Sequence, residues 1–246
     1  MVHHGQTASP VRAELLEWTA RIGAITANAL AQRNGRSIAS CRGQLSVAER
    51  GRLLSSQRLL AGYPALYTVT RRGLHEAGLE GIDPCRVSAA NSRHLIVCAQ
   101  VAAGLEQRYP DRRLVGEREL RRDERRHGAA LASAPVGIGP AGAPLLHRPD
   151  LVLWPEGPER GLPVAIEVEL TIKAPRRLAE ICRAWARCRC VSGVVYLATP
   201  QVARALGRAV EKAQAGERVV VVPLAALPFA QAAADGSIAR SIPRLT

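Results

Sequence analysis

Two glutamates on one face of an alternating strand are the side chains best placed to do chemistry. In Val164-Ala165-Ile166-Glu167-Val168-Glu169-Leu170-Thr171, the large aliphatic residues share one face. Ala165, Glu167, Glu169 and Thr171 share the other. Two acids on the same face of an interior strand repel each other and lose hydration, so they need a compensating partner. A divalent cation would supply one. Asp150 follows Pro149 at the start of the preceding strand-like run, and a hairpin would bring its carboxylate beside the other two. Carboxylates from Asp150 and Glu167 with a backbone carbonyl suit Mg²⁺ or Mn²⁺. Such an ion can activate water and stabilise charge on a phosphodiester during its cleavage. The alternative is a solvated sheet face on which Glu167 and Glu169 pair with Arg176, Arg177 or the Arg113 region.

The elements needed to hold these acids are legible around them. Val87–Gln107 reads as a helix with Ala90, His94, Val97, Val101, Ala102 and Leu105 inward. Glu106 lies three turns beyond His94, and both could face the sheet. A helical histidine of this kind more often packs or touches phosphate than catalyses. Arg113–Leu120 suggests a short strand, Arg121–Arg126 a solvated charge run, and Ala129–Pro144 a loop rich in Ala, Gly and Pro. Strands are expected at Arg148–Trp154, Val164–Thr171, Val194–Ala198 and Val219–Leu224. Helices are expected from Pro175 to about Arg189 and from Pro200 to Ala215. The result is an α/β fold (α+β over the whole chain), a mixed sheet flanked by helices spanning residues 87–224.

Residues 11–76 carry a different pattern. A helix begins near Val11, Thr26 caps a second at Ala27–Arg33, Asn34-Gly35 marks a turn, and Ser37 caps a third. Two strand-like runs follow, Gln57–Leu60 and Leu66–Thr70, joined by Ala-Gly-Tyr-Pro-Ala. Three helices and a hairpin form a winged helix-turn-helix order. The third helix would read the major groove with Arg42, Gln44 and Arg50, and Arg58, Arg71 and Arg72 would grip phosphates. The alternative for this surface is protein contact. Residues 77–86 read as a linker, and residues 1–10 and 225–246 as tails.

Bulk composition agrees with a nucleic-acid partner. Lys and Arg number 34 against 21 Asp and Glu, a net charge of +13, over 246 residues. Only Lys173 and Lys212 are lysines, a bias that a GC-rich genome explains; the net charge is not so explained. The core must be aliphatic, because aromatic residues make up only 3%. No apolar run spans a membrane and the first residues lack a secretory core, which points to the cytoplasm. The six cysteines are scattered, and Cys182, Cys188 and Cys190 lack the second spaced pair of a structural zinc site. Reduced thiols are therefore expected.

Pro149-Asp150 followed by Glu167-x-Glu169 resembles the PD-(D/E)xK nuclease motif. The wider text, RPDLVLWPEG, VAIEVELTIKAPRRLAEICRAW and VVYLATPQVARAL, is similar to the C-terminal region of replication-relaxation-type proteins of actinobacterial plasmids and mobile elements. The run Leu66–Leu74, with its Thr-Arg-x-Gly-Leu turn, resembles the wing of their winged-helix modules. The resemblance covers most of residues 10–224. It implies a double-stranded DNA partner, Mg²⁺ or Mn²⁺, catalytic Asp150, Glu167 and Glu169, and a protein compatible with a homodimer. Glu169 departs from the family pattern by standing where the motif has lysine. Lys173, four residues on, could reach back in its place, or the core could be a DNA-binding scaffold that does not cut.

Overall fold

The computed structural model describes residues 10–140, 142–156 and 161–224. The tails expected at 1–10 and 225–246 fall outside them, Pro10 excepted. The chain divides into two compact units, residues 1–100 and 101–246. No helix among the described residues is long and apolar enough to cross a membrane.

The first unit contains α1 (Pro10–Ile22), α2 (Ala27–Asn34), α3 (Ile38–Arg50), β1 (Leu54–Gln57), β2 (Leu66–Val69) and α4 (Arg71–Glu76). The long helix α5 (Ala89–Arg108) begins in it and runs past the division. Thr26 and Ser37 cap α2 and α3, their hydroxyls accepting from the N–H groups of Ala29 at 3.1 Å and Ser40 at 3.2 Å. Gly35, at φ 60°, closes α2 in the left-handed conformation that glycine adopts without strain. Leu16, Trp18, Ile25, Leu30, Leu45, Leu54 and Leu66 are the large fully buried side chains here. Ile25, between α1 and α2, exchanges both backbone hydrogen bonds with Tyr67 and so extends the hairpin by one bridge.

The hairpin is set earlier than the expected Gln57–Leu60. Leu53 and Leu54 are buried, and the register runs from Leu54↔Val69 to Gln57↔Leu66. Arg58 is thereby left in the connection. Burial of the two leucines, not the later Leu59-Leu60 pair, fixes which residues pair. The close packing after β2 has a specific cause. Thr70 donates to the Arg52 carbonyl at 2.7 Å and accepts from the Gly73 N–H at 3.1 Å. A Cβ on Gly73 would lie 2.3 Å from the Leu53 carbonyl oxygen, so only glycine fits.

The second unit contains β3 (Arg112–Gly116), α6 (Glu117–His127), β4 (Ala134–Ile138), β5 (Pro144–His147), β6 (Leu151–Pro155), β7 (Val164–Glu169), α7 (Pro175–Arg187), β8 (Gly193–Ala198), α8 (Pro200–Ala213) and β9 (Val219–Pro223). Five strands form one mixed sheet in the order β3-β6-β7-β8-β9. The β3, β6 and β7 pairings are antiparallel; β7, β8 and β9 run parallel. The core joins Val115, Val152, Ala165, Val194, Tyr196 and Val219 of the sheet to Leu178, Ile181, Cys182 and Trp185 of α7 and Val202 and Leu206 of α8. Every residue of β7 and β8 is buried.

Two expectations fail here. The charge run Arg121–Arg126 is not simply solvated: it belongs to α6, an amphipathic helix in which Glu119 and Glu124 are buried. Glu119 pairs with Arg113 and with Arg122, and Glu124 with Arg148. The expected strand Arg113–Leu120 therefore stops at Gly116. The expected loop Ala129–Pro144 holds the β4–β5 hairpin instead. Its base, Ala132 and Ala134, is fully buried in the core. Small residues gave no alternating signal, although two of them pack inside.

Candidate functional site

Strand β7 lies between β6 and β8, so Glu167 and Glu169 project from an interior strand. Alternation places Glu167 and Glu169 on the face of Ala165, which belongs to the core under α7. The solvated-face alternative is thereby overturned. Arg176 and Arg177 lie near Glu180, and Arg113 pairs with Glu119.

Each acid has its own surroundings. Asp150 stands one position beyond the Leu151↔Ile166 pair, directly opposite Glu167. It accepts the Val168 N–H at 2.8 Å. Glu169 is ion-paired with Lys173, so the lysine does reach back from the β7–α7 connection. The side chain of Glu167 is 7% exposed, and its Oε1 lies 2.7 Å from Nε2 of His147. That contact has hydrogen-bond length but not hydrogen-bond direction, since neither atom has a hydrogen-bond partner. We read it as a close charged approach, because the length alone does not make the bond. Asp150, Glu167 and Glu169 do not bring one oxygen each within 4.8 Å of one another. Lys173 draws Glu169 to one side, and the Val168 amide holds Asp150.

Electrostatics follow the burial. Loss of hydration pushes the Glu167 carboxyl above its usual range; His147 opposes this, Asp150 adds to it, and Lys173 opposes it more weakly. Tyr196, in register with Glu167 on β8, is raised by burial first and then by the Glu167 charge. Burial lifts Cys182 on α7 to about 11, against Arg183. A second sulfur pair lies just past α7. The Cys188 and Cys190 sulfurs are 3.1 Å apart and both contact the Ser133 carbonyl. The bond from Cys190 draws Cys188 down to about 6 and raises Cys190 in turn. All six cysteines are free.

In the first unit, Arg42 and Arg50 are exposed on α3 and Gln44 is half-buried. Arg50 also donates to Ser46 at 2.9 Å. Arg58 is exposed in the β1–β2 connection, and Arg71 and Arg72 are exposed in the first turn of α4. The expected phosphate contacts thus sit on a loop and a helix start. On α5, His94 Nε2 lies 3.3 Å from the Cys98 sulfur.

No protein-family model, curated protein or solved structure matches this chain.

His147 is the residue that sequence reading missed. It falls inside the stretch taken for loop and turn, three positions before Asp150. The text His-Arg-Pro-Asp was itself a signal: a titratable ring beside the strand entry. Only the β4–β5 hairpin turns that ring toward β7. Glu124 was missed for a similar reason, since its neighbours Arg125 and Arg126 masked an inward position.

Proposed function

We propose that this chain binds double-stranded DNA in plasmid or mobile-element replication or DNA processing, and that its second unit is a divalent-metal-dependent endonuclease or nickase. The carrying observation is Glu167, a carboxylate buried on an interior strand directly opposite Asp150. A cation at that position, Mg²⁺ or Mn²⁺, offsets the mutual repulsion and lost hydration that burial imposes. The sheet order, with antiparallel β6 and β7 followed by parallel β8 and β9, supports the PD-(D/E)xK-like reading. Three helices and a hairpin, with exposed Arg42 and Arg50 on the third helix, support the winged helix-turn-helix reading.

Asp150 and Glu167 hold the ion, which when bound supplies an activated water and charge stabilisation at phosphorus. Glu169 or Lys173 handles the proton of that water or orients it. A second reading is a non-cutting transcriptional or copy-number regulator on the same scaffold. The Lys173–Glu169 pair favours it, because each neutralises the other. Incubation of the purified protein with supercoiled plasmid and Mg²⁺, Mn²⁺ or chelator separates the two. Nicking that chelator stops supports the enzyme. Salt-sensitive DNA binding without nicking leaves the regulator.

A further inference from the structure

Nε2 of His147 and Oε1 of Glu167 are 2.7 Å apart, inaccessible to solvent, and not directed at one another. Two buried ligand atoms at that spacing are better matched to a shared third point than to each other. Adjacent ligands on a cation with bonds of about 2.1 Å stand about 3 Å apart. The observed spacing is close to that bite. The imidazole is also held in place. Trp185 meets it edge-on, with ring centroids 5.8 Å apart. The hairpin that carries it is tied at its base by Glu124, which bonds both Leu131 N–H at 3.1 Å and Arg148 Nε at 2.8 Å. Such fixed surroundings are what orient a ligating histidine.

We infer that His147 is a ligand of the cation held by Glu167 and Asp150, and that this nitrogen–oxygen set takes Mn²⁺ in preference to Mg²⁺. The inference rests on the metal-site reading above and specifies its ligand set. Imidazole suits first-row transition metals, whereas Mg²⁺ demands oxygen and gives its water up reluctantly. Asp150 needs only a side-chain rotation away from the Val168 amide to join the set.

The test uses the full chain with metal alone. Mn²⁺ is titrated and the free ion followed by electron paramagnetic resonance, with Mg²⁺ as competitor. Pulsed measurements on bound Mn²⁺ look for ¹⁴N modulation from an imidazole. The wild type should show that modulation, and Mg²⁺ should displace Mn²⁺ poorly. His147→Gln should abolish the modulation and weaken Mn²⁺ at least tenfold, with Mg²⁺ affinity changed less than threefold. His94→Gln should retain the modulation. The wild-type spectrum needs no substitution, so a misfolded variant cannot rescue or conceal the result. Absence of ¹⁴N modulation in the wild type, or its survival in His147→Gln, overturns the inference. Glu167→Gln separates the two levels. If it loses Mn²⁺ while His147→Gln does not, the carboxylate site stands and the histidine ligand falls. If it too binds as the wild type does, or the wild type binds no Mn²⁺, the metal-site reading falls with it.

Discussion

Removing the Glu124 carboxylate should unfasten the hairpin that presents His147. The Glu124 side chain is 2% exposed and does two jobs at once. One oxygen accepts the Leu131 N–H and the other pairs with Arg148, whose side chain is 23% exposed. Those two residues bracket β4 and β5. Glu124→Ala leaves the Arg148 charge partly buried without its partner and the Leu131 amide without its acceptor. Breaking a buried ion pair from one side costs about 3–5 kcal/mol. At roughly 2–4 °C per kcal/mol, the second unit should melt about 10 °C lower. Glu124→Gln keeps an acceptor for Leu131 and should cost about 1–3 kcal/mol, the worth of the lost charge assistance. Urea unfolding followed through Trp154 and Trp185 reads the second unit. A fall of less than about 1 kcal/mol in Glu124→Ala would refute the clamp and return this residue to the exposed-charge class, where pairs contribute about 0–1 kcal/mol.

Gly73→Ala should destabilise the first unit by several kcal/mol, on the order of the larger single-site effects, because its Cβ meets the Leu53 carbonyl; thermal melting followed through Trp18 checks this. Arg42→Ala with Arg50→Ala should weaken DNA binding and make the logarithmic salt slope shallower by about 0.9 for each phosphate that is no longer neutralised; an unchanged slope would move DNA to another surface. If the chain cleaves DNA, Lys173→Ala and Glu169→Gln divide the proton-handling role, and the plasmid assay should show which substitution is the more damaging. Alkylation of Cys188 by iodoacetamide should rise with pH through a midpoint near 6, since the thiolate reacts and Cys190 draws that thiol down to about 6. Below that midpoint the thiol is protonated and the rate falls; Cys190→Ser should move the midpoint upward.

Local rules accounted for much of the architecture. Alternation located β7 and placed Glu167 and Glu169 on one face, because side-chain direction in a strand depends only on position. Thr26 and Ser37 were readable as caps, since a cap is a contact between residues three apart. Pro175 and Pro200 marked helix starts for the same local reason. What the sequence left undecided was every feature that depends on a distant partner. Whether the acids on β7 met water or protein depended on β8 and α7 closing over them. The inward face of α6 was hidden in a run of charges, because Glu124 is buried only through Arg148 and the Leu131 amide. The β4–β5 hairpin carried no periodic signal, as glycine and alanine do not alternate in polarity. Its pairing nevertheless brings His147 to Glu167, and long-range packing of that kind is decided by tertiary structure, not by neighbours in the chain.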